Sequence, residues 1–167
     1  GTGDGQSPAG ELERLDPDLT SVAVVVADKT RLCGYPEFLL VLLDTLKDFG
    51  ALWDKITVYI AYGTHPHQTH EESIAAYGDP YKRLGFVHHD CLDNSSFVKL
   101  GKTMRDTPVL IRRDILEADF LITFGAISHH YFAGYGGGRK LIFPGLGQRD
   151  AIYHNHGLFL DQERHVL

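Results

Sequence analysis

The stretch SVAVVVADKTR, residues 21–31, carries the strongest structural signal in the chain. Its first seven residues are mostly β-branched and apolar, which is typical of a strand buried on both faces of a sheet. A carboxylate, a hydroxyl and a guanidinium follow at Asp28, Thr30 and Arg31. The stretch therefore predicts a central strand that ends in a polar turn.

Strands and helices alternate after this strand. PEFLLVLLDTLKDFG (36–50) starts with proline, ends with glycine and has apolar residues at helical spacing, so it predicts an amphipathic helix. KITVYIAYG (55–63) and DFLITFGAI (119–127) predict two more buried strands, and EESIAAYG predicts a short helix between them. LGFVHHD is another candidate strand, and TPVLIRRDILEA predicts a strand that passes into a helical turn.

This alternation favours right-handed βαβ units. We therefore expect a Rossmann-like α/β fold, with a mainly parallel sheet that helices cover on both faces. A length of 167 residues suits a single domain. We place that domain at residues 21–167 and interpret residues 1–20, which begin GTGDGQSPAG, as a disordered leader or an expression remnant.

The overall composition and charge argue against some classes of binding partner. A formal net charge of −6 argues against a broad nucleic-acid footprint, which needs a basic face. The longest apolar runs are far shorter than the roughly 20 residues of a membrane span. Two cysteines, Cys33 and Cys91, are typical of a reducing compartment. We expect a cytoplasmic protein that binds small molecules and has no nucleic-acid or membrane partner.

Polar sequences follow three of the predicted strands. DKTR follows the first, GTHPH the second and SHHYFAGYGGGRK the last. Ligands of parallel α/β sheets bind beyond the carboxyl ends of the strands, so these sequences should meet at one site. Arg31 is suited to bind a carboxylate or a phosphate, and the alternative is a surface arginine beside an Asp-Thr turn.

The loop HHYFAGYGGGRKLIFPG, residues 129–145, is open to two interpretations. Its backbone N–H groups could bind a phosphate, or its glycines could simply allow a tight turn. The order Gly-Arg-Lys-Leu excludes a Walker A loop, which needs Ser or Thr after the lysine. Lys140 lies between the glycines and an apolar segment, so it is either a desolvated, nucleophilic lysine or a solvated surface lysine.

The ten histidines occur mostly in clusters. His65 and His67 come directly after a strand, which is typical of metal-binding or acid–base histidines in α/β proteins. Zinc hydrolases of the amidohydrolase type also use a His-x-His pair, but their barrel needs about 250 residues. The chain has neither an HExxH nor a CxxC motif. We interpret Cys33, His88 and His89 as structural residues.

Taken together, these motifs resemble the nickel-dependent lactate racemase family, whose enzymes use a nickel-pincer nucleotide cofactor. The resemblance covers most of residues 22–157. It rests on the motifs DKTR, GTH, GKTMRDTPVLIRRDILEADFLITFGAI, HYFAGYGGGRKLIFPG and the final Asn155–His156 pair. The resemblance implies the N-terminal, cofactor-binding half of a 2-hydroxyacid racemase or epimerase. A C-terminal domain that closes over the site would be the missing partner.

The resemblance also implies a role for each site residue. Lys140 would hold the cofactor, pyridinium-3,5-bisthiocarboxylic acid mononucleotide nickel, through a thioamide, and His156 would ligate its nickel. His65 and His130 would be the paired acid–base residues, one for each face of the substrate. The glycines would let the backbone pass close to the nucleotide. The pocket for cofactor and substrate would be lined by Asp28, Lys29, Thr30 and Arg31.

In the reaction that the resemblance implies, a hydride passes from the α-carbon of the 2-hydroxyacid to the cofactor and returns to the other face. Leu32, Pro66 and Gly136 depart from the family's usual residues, so the hydroxyacid itself is left open. Two alternative functions are also open. One is a non-catalytic nickel- or nucleotide-binding domain of the same fold, and the other is a zinc-dependent hydrolase that uses His65 and His67.

Overall fold

The computed structural model describes residues 21–131 and 133–158, so the interpretation of residues 1–20 lies outside the described residues. Its main sheet contains the parallel strands β1 (Val22–Ala27), β2 (Ile56–Ala61), β3 (Gly85–His88) and β6 (Phe120–Phe124). They lie in the order β3–β2–β1–β6. The predicted α/β fold with a mainly parallel sheet is confirmed, and β1 lies inside the sheet as expected.

Three helices follow the first two strands. They are α1 (Tyr35–Asp48), α2 (His70–Tyr77) and α3 (Asp79–Arg83), and they pack against one another. The start of α2 is stabilised by a capping box, in which the hydroxyl of Thr69 accepts from the N–H of Glu72 and the Glu72 carboxylate accepts from the N–H of Thr69. Among the described residues, no helix is long and apolar enough to cross a membrane.

Strand β1 is buried along its whole length, so both faces of the sheet are covered at its centre. Two buried tyrosines fix its carboxyl end. The hydroxyl of Tyr35 accepts from the N–H of Ala27 (2.8 Å) and donates to the carbonyl of Phe124 (3.0 Å), while the hydroxyl of Tyr77 donates to the carbonyl of Ala27 (2.8 Å). These bonds hold the start of the DKTR turn against the core.

A separate antiparallel hairpin lies outside the main sheet. It pairs β4 (Phe97–Lys102), which the sequence analysis did not predict, with β5 (Pro108–Arg112), and β5 continues into α4 (Arg113–Leu116), as predicted for TPVLIRRDILEA. The turn at residues 103–107 is tight, with Asp106 at φ 60°. So short a connection can only return the chain antiparallel, whereas a parallel neighbour needs a long crossover.

The last described segment contains elements that the sequence analysis did not predict. A short hairpin pairs β7 (His129–His130) with β8 (Gly134–Tyr135), a 3-10 turn covers Gly138–Leu141, and helix α5 spans Arg149–Gly157. The side chain of Gln148 caps α5 by accepting from the N–H groups of Asp150 and Ala151. Helix α5 brings His156 back to the carboxyl edge of the sheet.

Candidate active site

A cleft lies at the carboxyl ends of the parallel strands, where the sequence places DKTR, GTH and the glycine loop. The turn after β1, the loop after β2, the glycine loop and helix α5 each contribute to its walls. Polar and charged groups therefore converge from four separate segments of the chain. The basic and acidic residues that line the cleft are Asp28, Arg31, His65, His130, Lys140 and His156.

Asp28 and His65 form a close pair at one side of the cleft. The Oδ2 atom of Asp28 lies 2.6 Å from Nδ1 of His65. Its Oδ1 atom accepts from the N–H of Thr30 (2.8 Å) and from the Thr30 hydroxyl (2.6 Å). Asp28 is only 3% exposed, whereas about half of the His65 side chain is accessible. The buried carboxylate thus orients an imidazole that reaches the cleft.

The DKTR turn does not direct all of its side chains to the cleft. Lys29 is not among the cleft-lining residues: its Nζ pairs with Glu72, and its N–H donates to Oε1 of Gln68 (3.0 Å). The Thr30 side chain turns back to Asp28. We expected all four residues to line the pocket, but only Asp28 and Arg31 do. Lys29 and Thr30 instead hold the turn in place.

Two glycines of the glycine loop are required by the chain itself. A Cβ on Gly137 would lie 2.5 Å from the carbonyl oxygen of Ala126, and Gly137 has φ 83°. A Cβ on Gly145 would lie 2.2 Å from the carbonyl oxygen of Leu141. Gly136 lines the cleft with more room, because a Cβ there would come no closer than 3.5 Å to another atom, the hydroxyl oxygen of Ser128. Close packing of the loop therefore explains Gly137 and Gly145 without a ligand.

Lys140 is the most unusual group in the cleft. Its Nζ atom is buried, and no group in the described part of the chain accepts a hydrogen bond from it. Burial, together with the positive charge of Arg31, lowers the pKa of Lys140 to about 8. With a pKa of about 8, roughly a tenth of the Lys140 amine is neutral at pH 7, and the neutral amine is the nucleophilic form.

His130 and His156 lie in the same cleft as Lys140. Burial and then the charge of Lys140 lower the pKa of both histidines, and Arg31 lowers that of His130 further. Nδ1 of His130 accepts a hydrogen bond from the N–H of Ala133 (3.2 Å). Both rings are therefore biased towards the neutral form, which is the form that accepts protons or ligates metals.

His67 does not join His65 in the cleft. Its ring packs on Tyr62, and its Nε2 lies 2.8 Å from the carbonyl oxygen of His89.

His88 lies between the hydroxyls of Tyr62 (2.8 Å) and Tyr81 (3.0 Å), and His89 is buried, in keeping with their structural interpretation. In the described ranges, no three His, Cys, Asp or Glu side chains are placed to hold a metal ion. The alternative function of a zinc-dependent hydrolase would use His65 and His67 together. The geometry does not favour it, because His67 does not face the cleft with His65.

Sequence reasoning did not single out several other residues of the cleft wall. Tyr62, Thr64, Pro144 and Ile152 also line the cleft. Tyr62 and Thr64 flank Gly63 in the GTH motif, so the spacing after β2 was the available signal. Pro144 and Ile152 reach the cleft only through the fold of the loop before α5, for which no local pattern was available.

The donor set fits the nucleotide cofactor that the sequence resemblance implies. The amine of Lys140, which has no hydrogen-bond partner among the described residues, is the group that a covalent thioamide link would use, and it lies in the same cleft as His156. A metal that brings its other donors on the cofactor needs only one ligand from the protein. A single imidazole of this kind is a suitable ligand for nickel.

Comparison with known proteins identifies the family. The family model described as lactate racemase N-terminal domain matches residues 7–167 of this chain. The chain is 33% identical over 156 residues to the lactate racemase of Lactiplantibacillus plantarum, covering 92% of this chain and 37% of that protein. It is 30% identical over 154 residues to the lactate racemase of Thermoanaerobacterium thermosaccharolyticum, covering 90% of this chain and 36% of that protein.

Solved structures agree with this result. The lactate racemase apoprotein from Thermoanaerobacterium thermosaccharolyticum matches with a TM-score of 0.81 at 29% identity, over 91% of this chain and 36% of that one. A Thermotoga maritima protein with a TM-score of 0.67 and 22% identity, over 90% of this chain and 40% of that one, shows the fold alone. The chain spans little more than a third of the curated relatives it matches. The chain belongs to the lactate racemase N-terminal domain family.

Proposed function

We propose that this chain is the N-terminal, cofactor-binding part of a 2-hydroxyacid racemase or epimerase that depends on a nickel-pincer nucleotide. The observation that carries the proposal is Lys140, a buried amine with a lowered pKa and no hydrogen-bond acceptor among the described residues. An unpartnered buried cation is costly, so such a group is retained where it serves a ligand or a reaction.

The chain's own residues divide into those that hold the cofactor and those that handle the proton. Lys140 would hold the cofactor covalently, and His156 would ligate its nickel. When bound, the cofactor supplies a hydride acceptor and donor, which is the chemistry that side chains lack. His65 and His130 handle the hydroxyl proton of the substrate, and Arg31 offers a guanidinium for the substrate carboxylate or the cofactor phosphate.

The proposed setting of the protein is the cytoplasm, since both cysteines of the described region are free thiols. Its proposed partners are a small 2-hydroxyacid and a C-terminal domain that closes the cleft. The open carboxyl edge of the sheet needs such a cover, because hydride transfer requires a site from which water is excluded.

Peptide mass mapping of the full-length protein, produced with and without the enzymes that synthesise the cofactor, tests the proposal. We expect a cofactor-sized adduct on Lys140 only in the first preparation, because nickel salt alone cannot form a thioamide. Racemisation by protein whose Lys140 is unmodified would overturn the assignment. Metal analysis separates the alternatives: nickel without an adduct indicates a non-catalytic binding domain, and zinc without an adduct indicates a hydrolase.

A further inference from the structure

The two acid–base histidines of the cleft are held by groups of opposite character. Nδ1 of His65 lies 2.6 Å from the carboxylate oxygen Oδ2 of Asp28. Nδ1 of His130 lies 3.2 Å from the backbone nitrogen of Ala133. An ionised carboxylate can only accept a hydrogen bond, whereas a backbone N–H can only donate one. The same ring atom is therefore a donor in one histidine and an acceptor in the other.

Both oxygens of the Asp28 carboxylate are engaged by hydrogen-bond partners. Its Oδ1 atom already accepts two hydrogen bonds from Thr30, so Oδ2 is the oxygen that remains for His65. The turn itself is tied to α2, because Gln68 accepts from the N–H of Lys29 and donates to the hydroxyl of Ser73 (3.0 Å). The carboxylate thus cannot rotate freely to present another atom to the imidazole.

We propose that His65 and His130 are held in opposite tautomers, and that Asp28 is a positioning residue for His65. His65 carries its hydrogen on Nδ1 and presents the lone pair of Nε2. Neutral His130 carries its hydrogen on Nε2 and presents an N–H group. In each ring, the hydrogen bond at Nδ1 decides which nitrogen carries the hydrogen. The same rule holds in other histidine sites, where the hydrogen bond of one ring nitrogen sets the state of the other.

The consequence for catalysis rests on the proposed function. The hydroxyl proton of a substrate that faces His65 moves to Nε2, the substrate oxygen keeps the bonding electron pair, and the imidazolium that forms stays paired with the Asp28 carboxylate. His130 first donates a hydrogen bond to a substrate oxygen. It can accept a proton at Nε2 only as the other tautomer, in which its hydrogen has moved from Nε2 to Nδ1 and Nδ1 no longer accepts from Ala133. The two enantiomers therefore meet groups that are not equivalent.

Two-bond ¹H–¹⁵N correlation spectra of the ¹⁵N-labelled, cofactor-free chain report the tautomer of each histidine directly. His65→Gln and His130→Gln each remove one set of signals and so assign them. We expect the Nδ1–H tautomer for His65 and the Nε2–H tautomer for neutral His130. The same tautomer at both positions, or the reverse pattern, would overturn the proposal.

Asp28→Asn separates a positioning role from a packing role. The two donors of Thr30 should keep the amide oxygen at the Oδ1 position, which turns the amide NH₂ towards His65. Nδ1 of His65 must then accept, so we expect its tautomer to invert while that of His130 stays the same. An unchanged Nδ1–H tautomer in the Asp28→Asn variant would show that Asp28 does not set the ring.

Asp93 offers a matched control. Its Oδ1 atom accepts from the N–H (3.1 Å) and the hydroxyl (2.6 Å) of Ser95, which is the same local turn as in Asp28, but Asp93 does not line the cleft. Asp93→Asn should leave both tautomers unchanged, and a change at His65 would argue against a specific role of Asp28. The spectra need no cofactor, so failure of the racemase proposal, seen as an unmodified Lys140, is distinct from failure of the tautomer proposal.

Discussion

The backbone N–H of Gly63 donates a hydrogen bond of 2.8 Å to the carbonyl oxygen of Gly145. This bond joins the loop after β2, which carries His65, to the loop before α5. The N–H of Gly145 in turn donates to the carbonyl of Lys140 (3.0 Å). A chain of main-chain bonds therefore sets the position of the candidate base relative to the candidate nucleophile.

Gly145→Ala should destabilise the protein by about 1–3 kcal/mol, the range for overpacking a tight interior. Its Cβ would lie 2.2 Å from the carbonyl oxygen of Leu141 and 2.8 Å from Cβ of Ala61. Urea denaturation measures the change. Gly85→Ala is the control, because a Cβ there meets nothing within 4 Å. Equal unfolding midpoints for both variants would contradict the predicted clash.

Lys140 should react with acylating reagents at a lower pH than an ordinary lysine, because its pKa is lowered to about 8. Between pH 8 and the ordinary pKa of about 10.4, the unfolded chain binds more protons than the folded one. The penalty for burying this amine is thus full below pH 8 and is relieved as the pH rises. Labelling rates from pH 6 to 10, followed by mass spectrometry with exposed Lys55 as reference, measure the titration.

Arg31→Gln should raise the pKa of Lys140 only part of the way to the ordinary value, because burial is the larger cause of the shift and Arg31 the smaller. The labelling profile of Lys140 should therefore move to higher pH without reaching that of a solvated lysine. An unshifted profile would show that the guanidinium does not act on this amine.

His156→Ala should lose nickel but keep the adduct on Lys140, because in the proposed function the imidazole ligates the metal and plays no part in the covalent link. His154 is the control. It is exposed and absent from the cleft, since residues two apart on a helix point to different sides. Nickel content per protein measures the loss of the metal, and peptide mapping measures the adduct on Lys140. Nickel retained in the first variant and lost in His154→Ala would move the role to His154.

His65→Ala and His130→Ala should each reduce racemisation by the full-length, loaded enzyme by about 10²–10⁴-fold, the usual contribution of a general acid or base. His129→Ala is the matched control, because this neighbour of His130 packs on Tyr135 and does not line the cleft. Initial rates with both enantiomers test the prediction. Wild-type rates in either cleft variant would remove that histidine from the mechanism.

The 167-residue chain alone should fold yet fail to racemise 2-hydroxyacids, and addition of the C-terminal domain should restore turnover. Folding rests on the fully buried strand β1 and the helices packed around it. Inactivity rests on the open cleft, which admits water. Circular dichroism and rate assays with lactate, malate and longer 2-hydroxyacids measure both parts. Near-full rates from the isolated, loaded chain would show that closure is dispensable.

The sequence by itself determined the parallel sheet and the edge at which the chemistry lies. The Val-rich run at 22–27 is buried on both sides, and the periodicity of 36–50 is that of the helix that follows. These features are local, because hydrophobic periodicity and capping residues act over a few turns or strand pairs. The motifs DKTR, GTH and the glycine loop consequently could be assigned to one edge before the fold was known.

Only the tertiary structure decided which neighbours in each motif face the cleft. Lys29 turns away to Glu72 while Arg31 stays, and His67 packs on Tyr62 while His65 meets Asp28. Gly137 and Gly145 also proved to be required by close packing, Gly137 against the carbonyl of Ala126 and Gly145 against Leu141 and Ala61. Side-chain direction at such positions depends on hydrogen bonds and packing between segments far apart in the chain, and no local pattern encodes those contacts.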